Sequence, residues 1–289
     1  ADDLVAVLDD DTVLPVGTLA RAATLLADAD LVTGIPYYLP SGGLWSRLVA
    51  AFVNGSALVS YLPLSLVGEP VSINGMFYVT TRAALERVGG FAKIEDKVCD
   101  DYELALLYRR AGLRITQASL PVQLRTTVPD AASYAGLMRR WMVFTQRLLR
   151  VEADLPIAAL VVAPGILPSA ALACAVGTRR PLLAAATLAA MAAKTVATAR
   201  LRRDLVEVPT APMDLVLEVV SDLLLPVHVL AAVAARGRIT WRGRPMRVGR
   251  DGRVAPLSDP RFDTPDGSEV PESAPGRDLR YRFADPGQR

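Results

Sequence analysis

Three groups of side chains in this sequence are of types and spacings that could do chemistry together. Asp9-Asp10-Asp11 directly follows the apolar run Leu4-Val5-Ala6-Val7-Leu8. Carboxylates at the carboxyl end of a strand point into the crevice where α/β sheets bind ligands. Two oxygen donors one residue apart can hold Mg2+ or Mn2+ against a diphosphate. Acidic residues also cap helices and turns, and Pro15 puts a turn close by, so this run alone reads either way. Asp100-Asp101 opens the stretch Asp100-Asp101-Tyr102-Glu103-Leu104. Acids there suit the positive end of a helix dipole, or one carboxylate can take a proton from an attacking hydroxyl. Arg139-Arg140-Trp141, with Phe144, Arg147 and Leu148 further on, sets cations beside aromatic rings. Such a face can clamp a pyrophosphate and line an acceptor groove, or it can anchor a helix at a membrane interface.

Composition removes other chemistries. His228 is the one histidine, which excludes multi-histidine metal sites and most serine-protease arrangements. Cys99 and Cys174 lie far apart in unlike surroundings, and suggest neither a disulfide framework nor a zinc site. A net charge of +2 over 289 residues argues against a general nucleic-acid partner. Hydrophobic residues make up 52% and charged ones 21%, a mixture that implies segregation of the two characters along the chain.

Residues 1–150 alternate strand and helix signals. The run at 4–8 reads as a buried parallel strand, 16–29 as a helix, and 30–35 as a strand closed by Pro36. Helical spacing over 44–62 is broken by Pro63, and 72–80 reads as a strand. A helix over 82–88 stops at Gly89-Gly90, and one over 100–111 ends at Gly112, before a strand at 113–117. This alternation predicts an α/β layer with a mostly parallel sheet.

From residue 155 the composition changes. Three apolar runs follow, at 155–176, 182–199 and 213–235, and the first carries no formal charge. That first run is long enough, at ~1.5 Å per residue, for a ~30 Å hydrocarbon core. Pro164, Gly165 and Pro168 would kink the first, and Lys194 could snorkel from the second. Arg147, Arg150, Arg200, Arg202, Arg203, Arg236 and Arg238 flank the runs and favour the cytoplasmic side. Arg179-Arg180 fits two spans plus a re-entrant or interfacial third better than three spans. The alternative is the helical core of a soluble protein. Glu218 and Asp222, one turn apart, read as a polar seam or interfacial face, or as part of an acceptor site. These features divide the chain into a catalytic region at 1–150, membrane-associated helices at 151–235, a basic Trp-Arg-Gly segment at 236–254 and a disordered tail at 255–289.

The order and spacing of the motifs carry more than each motif alone. Asp9-x-Asp11, then Asn74-Gly75-Met76-Phe77 before Arg82, Gly89-Gly90-Phe91, Asp100-Asp101-Tyr102-Glu103-Leu104 and Arg140-Trp141 together resemble the family 2 glycosyltransferases. Val32-Thr33-Gly34-Ile35-Pro36-Tyr37-Tyr38 and Trp241-Arg242-Gly243 make the ceramide glucosyltransferase and hopanoid-associated branch the nearest likeness. The resemblance implies a nucleotide-sugar fold of the A type, followed by membrane helices. It implies that Asp9 and Asp11 hold Mg2+ or Mn2+ with the diphosphate of a UDP-sugar, and that Asp101 is the general base, with Asp100 beside it. It further implies that Arg140 binds the pyrophosphate and Trp141 the acceptor. The first position of that last motif is Leu137 where the family has Gln or Arg, with Arg139 as the available substitute. The family's first strands, which grip uracil and ribose, have no counterpart, so the chain resembles the C-terminal portion of such an enzyme or one subunit of a split one. The implied protein is a multi-pass membrane enzyme with a cytoplasmic catalytic domain, transferring sugar with inversion to a ceramide-, hopanoid- or diacylglycerol-like lipid. A polysaccharide-forming relative and a non-catalytic membrane scaffold are the competing readings.

Overall fold

The computed structural model describes residues 3–40, 42–67, 69–152, 155–207, 209–241 and 243–257. At its centre is a five-stranded sheet of β1 (Leu4–Leu8), β2 (Thr12–Val13), β3 (Leu31–Tyr38), β4 (Phe77–Thr81) and β5 (Ile115–Leu124). The strand order is β1-β4-β3-β5-β2. Successive residues of a strand face opposite sides of the sheet. Phe77 and Val79 of β4 therefore join the core under α1 (Thr18–Leu25), α2 (Leu44–Val67) and α5 (Ala131–Val151). Tyr78 joins the opposite core, under α3 (Arg82–Arg87) and α4 (Asp100–Arg110).

The α/β class agrees with the sequence reading; the strand directions do not. Only β3 and β5 pair in parallel, whereas β4 runs antiparallel to both β1 and β3, and β2 antiparallel to β5. Strand-helix alternation speaks for layers, but a short apolar run carries no sign of its direction or of its coverage. β1 illustrates this: it is an edge strand, with Leu4 48% and Leu8 47% exposed. Two prolines also fail to end their elements. Pro36 lies inside β3, paired in register with Val122. Two residues on, Tyr38 directs its N–H away from β5 toward Asn54, so the missing N–H of Pro36 falls on the side that β4 leaves unpaired beyond Thr33. α2 continues past residue 63 to Val67, tertiary context overriding local propensity.

Gly34 sits at an irregularity in the β3–β5 register, where a Cβ would stand 2.5 Å from Val122 Cγ2 and 2.7 Å from the Leu120 carbonyl. No larger residue fits between those strands.

Three long helices follow: α6 (Leu155–Gly177), α7 (Pro181–Val206) and α8 (Pro212–Ala235). Among the described residues, α7 and α8 are long and apolar enough to cross a membrane, with mean hydropathies of 1.5 and 2.0, and α6 has a shorter apolar piece, Ala163–Gly177. α8 sorts its side chains in the reverse sense to a helix of a soluble protein. Asp214, Glu218, Ser221 and His228 of α8 are buried, while Val216, Val220, Val227, Leu230 and Val233 are exposed. In α7, Thr195, Thr198 and Arg202 face inward, and Leu182, Leu188, Val196 and Leu201 face outward. Glu218 and Asp222 form the polar seam: Arg202 Nη2 lies 2.5 Å from Glu218 Oε1, and Lys194 Nζ lies 2.6 Å from Asp222 Oδ2. Lys194 thus pairs across helices instead of snorkelling. Arg202 and Arg147 are likewise engaged inside the protein, so neither is a free flanking cation.

The basic segment also folds. β6 (Arg238–Trp241), β7 (Arg244–Val248) and β8 (Val254–Pro256) make a small antiparallel sheet. Ala255 and Pro256 are therefore strand, not the start of a tail; Arg242 and residues 258–289 lie outside the described residues. The small sheet docks beside α4, with Val98 N–H donating to the Gly252 carbonyl and Val254 N–H to that of Asp96. Ile239 packs there with Val98, Cys99 and Tyr102.

Candidate functional site

Because β4 is antiparallel to both neighbours, β1 ends where β4 begins, and the second half of β3 extends past the same end of the sheet. Asp9 N–H donates to the Met76 carbonyl at 3.1 Å, which draws the Asp9–Asp11 turn against the Asn74-Gly75-Met76 segment. That segment is held from within. Thr33 Oγ1 accepts from Asn74 N–H at 3.0 Å and donates to the Phe77 carbonyl at 3.0 Å. Asn74 Oδ1 accepts from Met76 N–H at 3.2 Å, a local turn that asparagine favours. The start of α4 then packs directly on Gly75, where a Cβ would stand 3.0 Å from Asp101 Cβ and 3.3 Å from its Oδ2. Glycine is what lets Asp101 approach the end of the sheet.

The acidic groups feel one another. Partial burial, and then the charges of Asp11, Asp100 and Asp10, push the Asp9 carboxyl above its ordinary value. Burial, reinforced by Asp100, raises Asp101 from 3.8 to about 6, against hydrogen bonds that favour its charged form. Those bonds come from Cys99 Sγ at 2.9 Å and Tyr102 N–H at 2.6 Å, and both go to Oδ1. Oδ2 is left on the Gly75 side.

The opposite wall comes from α5. The Trp141 ring stacks on Phe52 at 5.7 Å and meets Tyr38 edge-on at 6.3 Å. The Arg140 guanidinium lies 4.7 Å over the Trp241 ring, and its buried Nε has no hydrogen-bond partner among the described residues. Burial raises the Tyr38 phenol, the charges of Asp11 and Asp9 raise it further, and Arg140 opposes them. Tyr38 thus lies within electrostatic reach of both the carboxylates and the cation. Tyr61 feels both Asp101 and Tyr38, which links the two walls. Two part-buried ion pairs brace α4 against α5: Arg147 Nε to Glu103 Oε1 at 2.9 Å, and Arg109 to Glu152.

Asp9, Asp11, Asp100, Asp101, Arg140 and Trp141 are therefore brought to one end of the sheet. Arg139, like Arg140, has a buried Nε without a partner among the described residues. Tyr38, Asn54, Cys99, Gly75 and Trp241 belong to the site's framework, although the sequence reading gave none of them a role. Tyr38, Gly75 and Trp241 belong to motifs legible in the sequence, and only proximity marks Asn54 and Cys99.

The donor set suits a divalent cation held in part by substrate. Among the described residues, no three carboxylate, imidazole or thiolate groups converge tightly enough to cage an ion. Asp9 and Asp11 supply two oxygen ligands, and Mg2+ or Mn2+ commonly completes its shell with phosphates and water. The mutual repulsion that raises Asp9 is what such a cation would relieve. An unpartnered Arg140 Nε within a few side chains of these carboxylates suits the phosphate charge itself.

No curated protein matches the chain. Among solved structures, a mannosyltransferase, PcManGT from Pyrobaculum calidifontis in complex with GDP-Man and Mn2+, is 22% identical, with a TM-score of 0.43. The alignment covers 81% of this chain and 61% of that one, so the chain spans less than two thirds of that protein's length. A family match runs through every motif described above, over residues 1–254, and it selects the narrower of the two likenesses, the ceramide glucosyltransferase-like one. The chain belongs to Glycosyl transferase family 21.

Proposed function

We propose that this protein transfers a sugar from a UDP-sugar to a lipid hydroxyl with inversion at the anomeric carbon, at a membrane surface. The observation that carries the reading is the meeting of Asp9, Asp11 and Asp101 with Arg140 and Trp141 at one end of the sheet, in a chain of this family. The length and apolarity of α7 and α8, with the apolar outer face of α8, support the membrane and, with it, an amphiphilic acceptor. An apolar outer face of that size is stable against hydrocarbon and costly against water.

Asp9 and Asp11 would hold Mg2+ or Mn2+, which when bound neutralises charge on the donor diphosphate. Arg140 would lie on the same diphosphate, its guanidinium oriented by the Trp241 ring. Trp141, Phe52 and Tyr38 would form an apolar wall for the acceptor. Asp101 Oδ2 would take the proton of the acceptor hydroxyl as its oxygen bonds to the anomeric carbon and the bond to the departing phosphate oxygen breaks. A base near pH 6 is charged at neutral pH, and strong enough to accept that proton as the hydroxyl acidifies in the transition state. A single displacement from the face opposite the leaving group inverts the centre.

The test is transfer of label from UDP-glucose and UDP-N-acetylglucosamine into membrane lipids, with Mn2+ or Mg2+ present. Label in the organic extract, lost in Asp101→Asn, supports the reading. Label in a water-soluble polymer removes the lipid acceptor, and label from a GDP-sugar alone removes the UDP donor.

A further inference from the structure

A run of buried polar contacts joins the outer helices to the site. Arg202 of α7 is 4% exposed and divides its guanidinium between two other helices. Nη2 donates to Glu218 Oε1 of α8 at 2.5 Å, and Nη1 donates to the Asn54 carbonyl of α2 at 2.6 Å. The Asn54 side chain then brackets one residue of the sheet. Its Oδ1 accepts from Tyr38 N–H at 2.9 Å, and its Nδ2 donates to the Tyr38 carbonyl at 2.8 Å. β4 pairs with β3 only as far as Thr33, so the Asn54 amide stands where a neighbouring strand would be. Tyr38 meets Trp141 edge-on, and its phenol feels the charges of Asp9, Asp11 and Arg140.

This arrangement is poorly suited to adhesion alone. Apolar side chains of like volume usually hold buried helices as well as an ion pair does, or better. Here Arg202 Nε and Glu218 Oε2 are also left buried without a partner among the described residues. What the pair does that apolar residues cannot is fix a carbonyl, and through it an amide clamp, at one place on β3.

We propose that Arg202, held by Glu218, is a positioning residue for the donor site. It sets the place of Tyr38 through Asn54, so that the seating of α7 and α8 reaches the acidic cluster. The proposal rests on the donor site described under the proposed function.

The test compares the wild-type protein, Arg202→Met with Glu218→Leu, and Arg202→Lys, each in lipid nanodiscs. The double variant removes both charges and keeps apolar volume, so it should melt close to wild type. Amide exchange at Tyr38 should quicken about tenfold as its clamp loosens. The value of kcat should fall about tenfold and acceptor KM should rise severalfold, because Tyr38 is part of the acceptor wall as well as a neighbour of the carboxylates. Arg202→Lys, which can reach Glu218 or the Asn54 carbonyl but not both, should lie between. A folded double variant with wild-type exchange or wild-type kcat overturns the proposal. Activity lost only in step with folded protein overturns it too, as a purely structural role. Exchange at Tyr38 is read without substrate. If it quickens while even the wild type transfers nothing, the donor-site function fails and the link from Arg202 to Tyr38 stands.

Discussion

Replacing Asp101 with Asn should inactivate the protein and stabilise it. The two carboxyl hydrogen bonds, from Cys99 Sγ and Tyr102 N–H, both end on Oδ1, which Asn retains. The substitution therefore removes a charge while leaving volume and acceptor geometry in place. In the folded protein Asp101 is raised from 3.8 to about 6, chiefly by burial. A carboxyl with a raised folded pKa binds its proton more tightly when folded. Its penalty is absent below about pH 4, grows between about pH 4 and 6, and is constant above. About two units at ~1.4 kcal/mol each make ~3 kcal/mol, or roughly 6–12 °C in melting temperature for a chain of this size. Thermal melts of wild type and Asp101→Asn from about pH 3 to 8, without donor or metal, should nearly coincide at about pH 3 and separate to that extent by about pH 7.5. In the same pH series the wild-type kcat should fall below about pH 6 as the base is protonated, and the variant should lose about 100-fold or more at pH 7.5. A melting gap that does not vary with pH refutes the electrostatic argument, and retained transfer removes Asp101 from the chemistry.

Other substitutions separate the remaining parts of the site. Gly75→Ala drives a Cβ to 3.0 Å from that of Asp101; it should cost about 1–3 kcal/mol of stability and lower kcat while UDP titration stays near wild type. Asp9→Asn with Asp11→Asn should abolish the part of UDP affinity that depends on Mn2+, read by calorimetry with and without the metal. Trp241→Leu removes the ring under the Arg140 guanidinium, worth ~0.5–2 kcal/mol, and should raise donor KM severalfold with little effect on acceptor KM. A chain ended after Leu257 keeps β8 and should melt like the intact protein, whereas one ended after Asp251 uncovers the cluster around Ile239 and should melt several degrees lower.

How much of this was readable beforehand depended on whether a feature is local. Helix ends at Gly89-Gly90 and Gly112 were legible because a residue at positive φ is a local demand, and both glycines of the pair and Gly112 adopt it. The direction of β4 was not, since the same five residues satisfy a parallel or an antiparallel neighbour. Arg202 was misread as a flanking cation for a like reason. An arginine near the end of an apolar run looks the same in sequence whether it meets headgroups or, as here, Glu218 sixteen residues on. Cys99 looked inert until the fold set its thiol on the carboxyl of Asp101.

The sequence by itself determined the composition of the site and the layering of the fold. The acidic pairs, the Arg-Trp pair and the apolar runs are properties of short segments, whose chemistry and periodicity do not depend on distant residues. Tertiary structure alone decided that a glycine and an amide far apart in the chain would set the height and the foundation of that site, and that burial would set the proton affinity of its base. Close packing and burial act between surfaces that meet only after folding, and it is there that Asp101 acquires its raised pKa, Arg140 its ring and Tyr38 its clamp.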